Sequence, residues 1–365
     1  MAPFCQTGNG ACGNGQRLRI LSVEVVEVTD LRKDGYDVVV VGGGAAGLSG
    51  ALALARSRRT VLVVDAGSPR NVPAAGVHNL LAREGIPPVE LLERGRAEVR
   101  GYGGQVMPGE VGAVTREKDG FAVALTDGRA VHARRLLVAA GAVDELPDIP
   151  GLRARWGRDV LHCPYCHGWE VRDQAVGVLA TGPMSVHQAL LFRQLSADVT
   201  YFAHTLPPGD EQTEELTARG VGIVHGEVAS VEIDGDRLVG VRLRDGTVVG
   251  REALVVASRI VVRAGFLAGL GLRPAEHPAG IGQYIPADAT GRTEVPGVWA
   301  AGNVTDPAAQ VGAAAAAGTM AGAQINADLI AEETRQAVAA RRDPFSAESE
   351  SRLCEQAMGD RRHGI

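Results

Sequence analysis

Residues 36–65 constrain the fold of this chain more than any other stretch. Tyr36-Asp37-Val38-Val39-Val40-Val41 is a β-rich run that ends on Gly42-Gly43-Gly44-Ala45-Ala46-Gly47. An alanine- and leucine-rich stretch with helical patterning follows to about Arg58, and Thr60-Val61-Leu62-Val63-Val64 then leads to Asp65. Strand, Gly42-x-Gly44-x-x-Gly47, helix, strand and acid together form the dinucleotide-binding fingerprint in the context that it needs. The glycines let the backbone turn tightly and approach a pyrophosphate, which would rest at the positive end of the helix that Ala45 and Ala46 open. Asp65, 23 residues after Gly42, can accept hydrogen bonds from both adenosine ribose hydroxyls. An acid at this point favours a free 2′-hydroxyl, hence FAD or NAD over NADP.

A second stretch repeats this topology without its chemistry. Ala175 to Ala180 reads as a strand, Ser185 to Leu195 as a helix and Ala197 to Phe202 as another strand. Where three glycines are wanted, the chain has Ala180-x-Gly182-x-x-Ser185, with Pro183 inside the turn. Ala203-His204-Thr205 then supplies neither a ribose-binding acid nor an arginine pair for a 2′-phosphate. The unit is expected to keep the architecture of a nucleotide domain without a clear nicotinamide site.

Between the two units lies Cys163-Pro164-Tyr165-Cys166-His167-Gly168-Trp169-Glu170. Two thiols two residues apart can close a small disulfide and open it again, and inside a cell such a pair is more often a redox tool than a staple. His162 and His167 flank the pair and offer proton acceptors. Trp169 reads by default as a core residue. The same residues leave c-type haem attachment and zinc binding open.

The rest of the chain is consistent with two α/β domains. Residues 79–103 have amphipathic helical patterning, broken or opened by Pro87-Pro88, and residues 104–134 alternate like a small β-meander. Leu136 to Gly141 is a further buried strand ending on glycine, and 219–262 alternate with Asp234-Gly235 and Asp245-Gly246 turns. Val295 to Asn303 reads as a short strand, and Gln310-Val311-Gly312 opens a helix of small residues that runs to about Ile330. From Ala331 the pattern is a helical continuation fading into a charged tail. Residues 1–34 look like an extension, with a hint of a strand from Leu18 to Val28.

Composition narrows the classes. The net charge is −6 with no basic stripe, which argues against nucleic acid. No apolar run reaches membrane-spanning length and the first residues carry no secretory pattern, so the chain reads as cytoplasmic. Cys5, Cys12 and Cys354 lie in low-complexity or charged settings and read as incidental thiols.

Taken together, these motifs resemble the low-molecular-weight thioredoxin reductase family over roughly residues 36–330. The resemblance implies an α/β fold of two Rossmann-like, three-layer ββα nucleotide-binding domains. An extension (1–34) precedes a discontinuous FAD domain (35–146 and 263–330), an inserted degenerate NAD(P)-like domain carries Cys-x-x-Cys (147–262), and a tail follows (331–365). It further implies that Gly42, Gly44, Ala45, Ala46 and Gly47 bind the FAD pyrophosphate and Asp65 the ribose. Ala140-Gly141 and Gly302-Asn303 match the second and third FAD segments, and Gln310 and Val311 match the residues that meet the isoalloxazine. The family usually has glutamate at the Asp65 position and aspartate at the Asn303 position.

His167 replaces the aspartate usual after the second cysteine. With that change, Cys-Pro-Tyr-Cys-His-Gly-Trp-Glu looks like the motif of the dithiol oxidases that close disulfides in gliotoxin-, holomycin- and romidepsin-type natural products. This resemblance implies FAD as cofactor, no metal, a small-molecule dithiol substrate, O2 as acceptor, a homodimer, and Cys163, Cys166 and the base His167 as catalytic residues. An NAD(P)H- or ferredoxin-dependent thioredoxin or disulfide reductase is the alternative.

Overall fold

In the computed structural model, residues 35–343, 350, 351, 353 and 354 are described. Cys5, Cys12 and the Leu18–Val28 segment lie outside them. The first unit is built on β1 (Tyr36–Val41), α1 (Ala45–Arg56), β2 (Val61–Asp65), α2 (Pro88–Gly101) and β3 (Gln105–Pro108), followed by β4 (Val111–Glu117), β5 (Gly120–Leu125) and β6 (Ala130–Val138). β1 pairs in parallel with β2 and β6, while β4, β5 and β6 form an antiparallel meander. Both faces of β1 are covered, and its alternation sorts them: Val38 and Val40 point to the helices, Val39 and Val41 to the meander. Three layers result.

Helix α2 begins at Pro88, a residue whose fixed φ and missing N–H suit a first helical turn. Of the two roles expected for Pro87-Pro88 within the 79–103 pattern, breaking or opening, the structure shows opening. Residues 77–86 form instead a tight loop closed by a bridge between Val77 and Ile86.

The chain leaves the unit through β7 (Ala142–Glu145) and enters a second parallel sheet. Its elements are β8 (Val160–Leu161), α3 (Pro164–His167), β9 (Val176–Leu179), α4 (Ser185–Phe192), β10 (Val199–Phe202), α5 (Asp210–Ala218) and β11 (Gly222–Val224). An antiparallel layer of β12 (Val228–Asp234), β13 (Arg237–Leu243) and β14 (Val248–Val249) covers one face before β15 (Ala253–Val256) joins the sheet in the order β11-β10-β9-β15-β8. The chain returns through β16 (Arg259–Val262), which pairs antiparallel with β7, so the two crossings between units run side by side.

The last part contributes β17 (Ala275–Glu276), β18 (Gln283–Tyr284), β19 (Val298–Ala300) and α6 (Val311–Arg342). β19 adds to the first sheet in parallel beside β6. α6 runs unbroken for 32 residues, and the helical continuation expected from Ala331 reaches Arg342. Arg59 and Arg134 hold Glu333, and Arg135 holds Asp328 and Glu332, so the polar end of α6 is tied to the first unit.

α1 and α6 touch backbone to backbone. A Cβ on Gly318 would lie 1.9 Å from the Ala46 carbonyl oxygen, and one on Gly322 would lie 2.7 Å from the Gly50 oxygen. Positions 46 and 50, and 318 and 322, each lie one turn apart on one helix face. This seam fixes where α6 starts.

Candidate active site

The two units line a cavity of about 360 Å³, within the range of small-molecule and cofactor sites. Of the residues singled out from the sequence, Gly42, Gly44, Ala45, Ala46, Asp65, Ala140, Gly141, Gly302, Asn303, Gln310, Val311, Cys163, Cys166 and His167 all line it. Gly47 does not. Its Cβ would sit 1.9 Å from the Gly42 carbonyl oxygen, so Gly47 closes the turn from behind.

The glycines divide by role. Gly42 has φ +107°, and a Cβ there would come within 2.2 Å of the Ala139 oxygen. Gly44 and Gly141 have no atom within 4 Å on the side where a Cβ would stand, so a side chain there would enter the cavity. The helical ladder of α1 starts with Leu48 N–H bonding the Gly44 carbonyl, and that of α6 with Ala314 N–H bonding the Gln310 carbonyl, both at 2.9 Å. The first N–H groups of both helices lack intrahelical acceptors and carry the positive ends of their dipoles.

Asp65 accepts from the Gly67 N–H at 3.0 Å and from Arg96 at 2.8 Å. A carboxylate has about four acceptor sites, so capacity for hydroxyl donors remains. Its Oδ2 would be 2.4 Å from a Cβ on Gly43, which explains why the middle residue of the three consecutive glycines is also glycine. Asn303 donates through Nδ2 to the carbonyls of Asp306 and Ala309, at 3.1 and 2.9 Å. An aspartate has no donor for those bonds, so the asparagine fixes the loop leading into α6.

At the opposite wall, α3 is a single turn opened by Pro164, with Cys163 as its N-cap residue. This turn places the two sulfurs 2.7 Å apart as free thiols. The pair shares one proton. The hydrogen bond from the Cys166 thiol lowers Cys163 to about 7, with help from backbone N–H groups and the Arg70 charge against the opposing effect of burial. The same bond, with burial, pushes Cys166 well above the usual thiol range. Cys163 is therefore the thiolate of the reduced pair.

His167 is lowered below its ordinary value, chiefly by burial, and its Nε2 is buried without a partner. His162 is lowered to about 4 by burial and the nearby Arg70 charge, and its Nδ1 is likewise unpartnered. Trp169 corrects the sequence expectation: it is 65% exposed. The turn after α3 carries it outward, where the Arg172 guanidinium stacks on its ring at 4.2 Å. Trp299, on β19, is a fully buried tryptophan.

Sequence patterning gave no signal for three further cavity residues. Arg70 grips Asp144 with two bonds of 2.7 Å, and Ser258 donates to the same carboxylate at 2.6 Å. Burial opposes the charge of Asp144, but these donors hold it below the ordinary carboxyl range. The triplet staples the first unit to both crossings between units. His78, from the loop before α2, lies edge-on to His167, with ring centroids 6.2 Å apart. Among the described residues, no group of three or more histidine, cysteine or acidic side chains is placed to hold a metal ion.

The turn after β9 in the second sheet is closed on itself. The Ser185 hydroxyl accepts from the N–H groups of Thr181 and Gly182 at 3.2 and 3.3 Å, and Ser185 is fully buried. Pro183 has no N–H to offer. His204, at φ +40° after β10, accepts the Val228 N–H through Nδ1 at 3.0 Å.

The profile of the pyridine nucleotide-disulphide oxidoreductases matches residues 36–323. The chain belongs to that family. Its members of the thioredoxin reductase-like type typically bind FAD. The chain is similar to "Thioredoxin reductase sirT" of Leptosphaeria maculans, with 31% identity over 80% of this chain and 93% of the relative. It is also similar to "Thioredoxin reductase aclD" of Aspergillus oryzae, with 32% identity over 73% and 88%. Among solved structures, the crystal structure of HlmI superposes with a TM-score of 0.81 at 47% identity, covering 86% of this chain and 98% of HlmI. The protein is thus a thioredoxin reductase-like oxidoreductase. No helix among the described residues is long and apolar enough to cross a membrane.

Proposed function

We propose that the protein is an FAD-dependent dithiol oxidase that closes a disulfide in a small-molecule, natural-product-type dithiol and passes the electrons to O2, giving H2O2. In this reading residues 35–146 and 263–330 form the FAD domain and 147–262 the inserted domain. The cavity chemistry fits a flavin dinucleotide. Gly42, Gly44, Ala45 and Ala46, with Gly47 behind them, would cradle the pyrophosphate and Asp65 the ribose. Ala140, Gly141, Gly302, Asn303, Gln310 and Val311 would line the rest of the cofactor. When bound, FAD supplies a two-electron acceptor that reoxidises the dithiol and yields the electrons to oxygen.

The chain's own residues account for the exchange. A substrate thiolate attacks the Cys163–Cys166 disulfide at Cys163, forming a mixed disulfide and expelling Cys166 as the leaving sulfur. The second substrate thiol attacks its bound sulfur, releases the cyclic disulfide, and leaves Cys163 as the thiolate that its neighbour's hydrogen bond favours. His167, neutral through burial and with a free Nε2, takes the proton of the attacking thiol. In sum, R(SH)2 and O2 become RS2 and H2O2.

The observation that carries the oxidase reading is the self-closed turn of the second unit. Ser185 occupies the backbone donors that a pyrophosphate would need, and His204 is engaged with Val228. The names of sirT and aclD favour a second reading, an NAD(P)H- or ferredoxin-dependent thioredoxin or disulfide reductase.

Three additions to purified holoprotein separate them. Anaerobic NADPH or NADH should leave the flavin oxidised. Dithiothreitol should bleach it, and under air should drive oxygen uptake that Cys163→Ser and Cys166→Ser abolish. Rapid bleaching by a nicotinamide would overturn the oxidase reading. A cytoplasmic homodimer completes the proposal, and light scattering on the purified protein checks the dimer.

A further inference from the structure

We infer that His78, held by Glu84 and facing His167, is the route by which the proton taken from the substrate thiol leaves the buried dithiol site. The inference rests on the proposed thiol oxidation, which must move protons as well as electrons away from two half-buried cysteines.

The loop carrying His78 is built for orientation. Val77 and Ile86 bridge its base, and Asn79 sits at φ +58°. The Glu84 carboxylate turns back to bond His78 Nδ1 at 2.6 Å and the Asn79 N–H at 2.9 Å. The Asn79 side chain then donates to the Tyr165 carbonyl at 2.6 Å, fastening the loop to α3 between the two cysteines' positions. A carboxylate on one ring nitrogen fixes the tautomer of a working histidine.

With Glu84 accepting from Nδ1, neutral His78 carries its lone pair on Nε2. That nitrogen lies 3.4 Å from a Glu170 carboxylate oxygen. The ring therefore has a carboxylate beside each of its nitrogens. His167 meets His78 edge to face at 6.2 Å between centroids, with its Nε2 buried and unpartnered. That separation is the range of a direct edge-to-face ring pair. Glu84 has a side chain that is 66% exposed, and His78 one that is 22% exposed, so the chain His167, His78, Glu84 runs from the cavity wall to solvent. Glu84, Glu170 and His167 are the titratable groups placed against His78.

The test uses FAD-loaded protein and dithiothreitol in anaerobic stopped flow, reading flavin bleaching at low buffer concentration. His78→Ala should slow bleaching by at least about tenfold, and added imidazole should restore the rate in a saturable way. Glu84→Gln, on the surface, removes the charge and one of the two acceptor oxygens, and should give a smaller loss in the same direction and shift the pH profile. Flavin content and Cys163 alkylation should stay at wild-type levels. Unchanged bleaching in both variants, or a loss that imidazole does not restore, would overturn the relay. Oxygen uptake by the wild type is measured separately: its absence would overturn the oxidase reading while the bleaching data still judge His78.

Discussion

Replacing Cys166 by alanine isolates the interaction that sets the reactivity of the redox pair. In the wild type the Cys166 thiol donates to Cys163, and Cys163 falls from 9.0 to about 7. Near pH 7 about half of Cys163 is then thiolate, and the fraction drops roughly tenfold per pH unit further into acid. Alanine removes the donor but leaves the backbone N–H groups and the Arg70 charge in place. A rise of one to two units cuts the thiolate fraction at pH 7 by between about fivefold and fiftyfold. The assay is the pH dependence of iodoacetamide labelling at Cys163, resolved by mass spectrometry on the reduced protein. The expected outcome is a midpoint near 7 in the wild type and an upward shift of at least about one unit in Cys166→Ala. A wild-type midpoint near 9, or an unmoved midpoint in the variant, would refute the shared-proton account.

Further outcomes follow from the same structure. Gly318→Ala forces α6 away from the Ala46 carbonyl and should lower stability to urea by about 1–3 kcal/mol. Gly44→Ala, facing open space, should keep the stability of the apoprotein and instead weaken FAD retention, measured by flavin fluorescence. His162 is held neutral in the fold at about 4 against an ordinary 6.5. Its contribution to stability is therefore present above 6.5 and lost as pH falls toward 4. Denaturation midpoints should decline across that window by on the order of 2 kcal/mol, and His162→Gln should flatten the decline. Arg96→Ala removes the guanidinium that orients Asp65 and should raise the FAD dissociation constant roughly tenfold, a loss of about 1.4 kcal/mol read by titration of the apoprotein.

Legibility followed the range of the interactions. The turn at Gly42–Gly47 and the thiol spacing at Cys163–Cys166 are local, and both could be read from adjacent residues. The family pattern then supplied Ala140, Gly302 and Gln310, which the fold brings to the same cavity. Arg70, His78 and Asp144 carry no local signature. They meet because one loop and two crossing strands converge, which depends on tertiary geometry. Trp169 failed as a core residue because hydrophobicity was weighed without the direction of the turn that follows α3. The helical pattern from residue 79 resolved at Pro87-Pro88, one of the two roles expected there: Pro88 suits a first helical turn, so the apolar residues before it joined a loop.

The self-closed turn at Ser185 has a consequence for how such a protein could change. Restoring a nicotinamide site would require reversing at least three features: the Ser185 hydroxyl, Pro183 and the engagement of His204 with Val228. Removing the hydroxyl alone takes the acceptor from two part-buried donors, the Thr181 and Gly182 N–H groups, which water can then satisfy. Pro183 and the bond between His204 and Val228 would remain in place. On the proposed oxidase reading, the turn disfavours a single-step return to a nicotinamide site, and electron donors enter through the thiols.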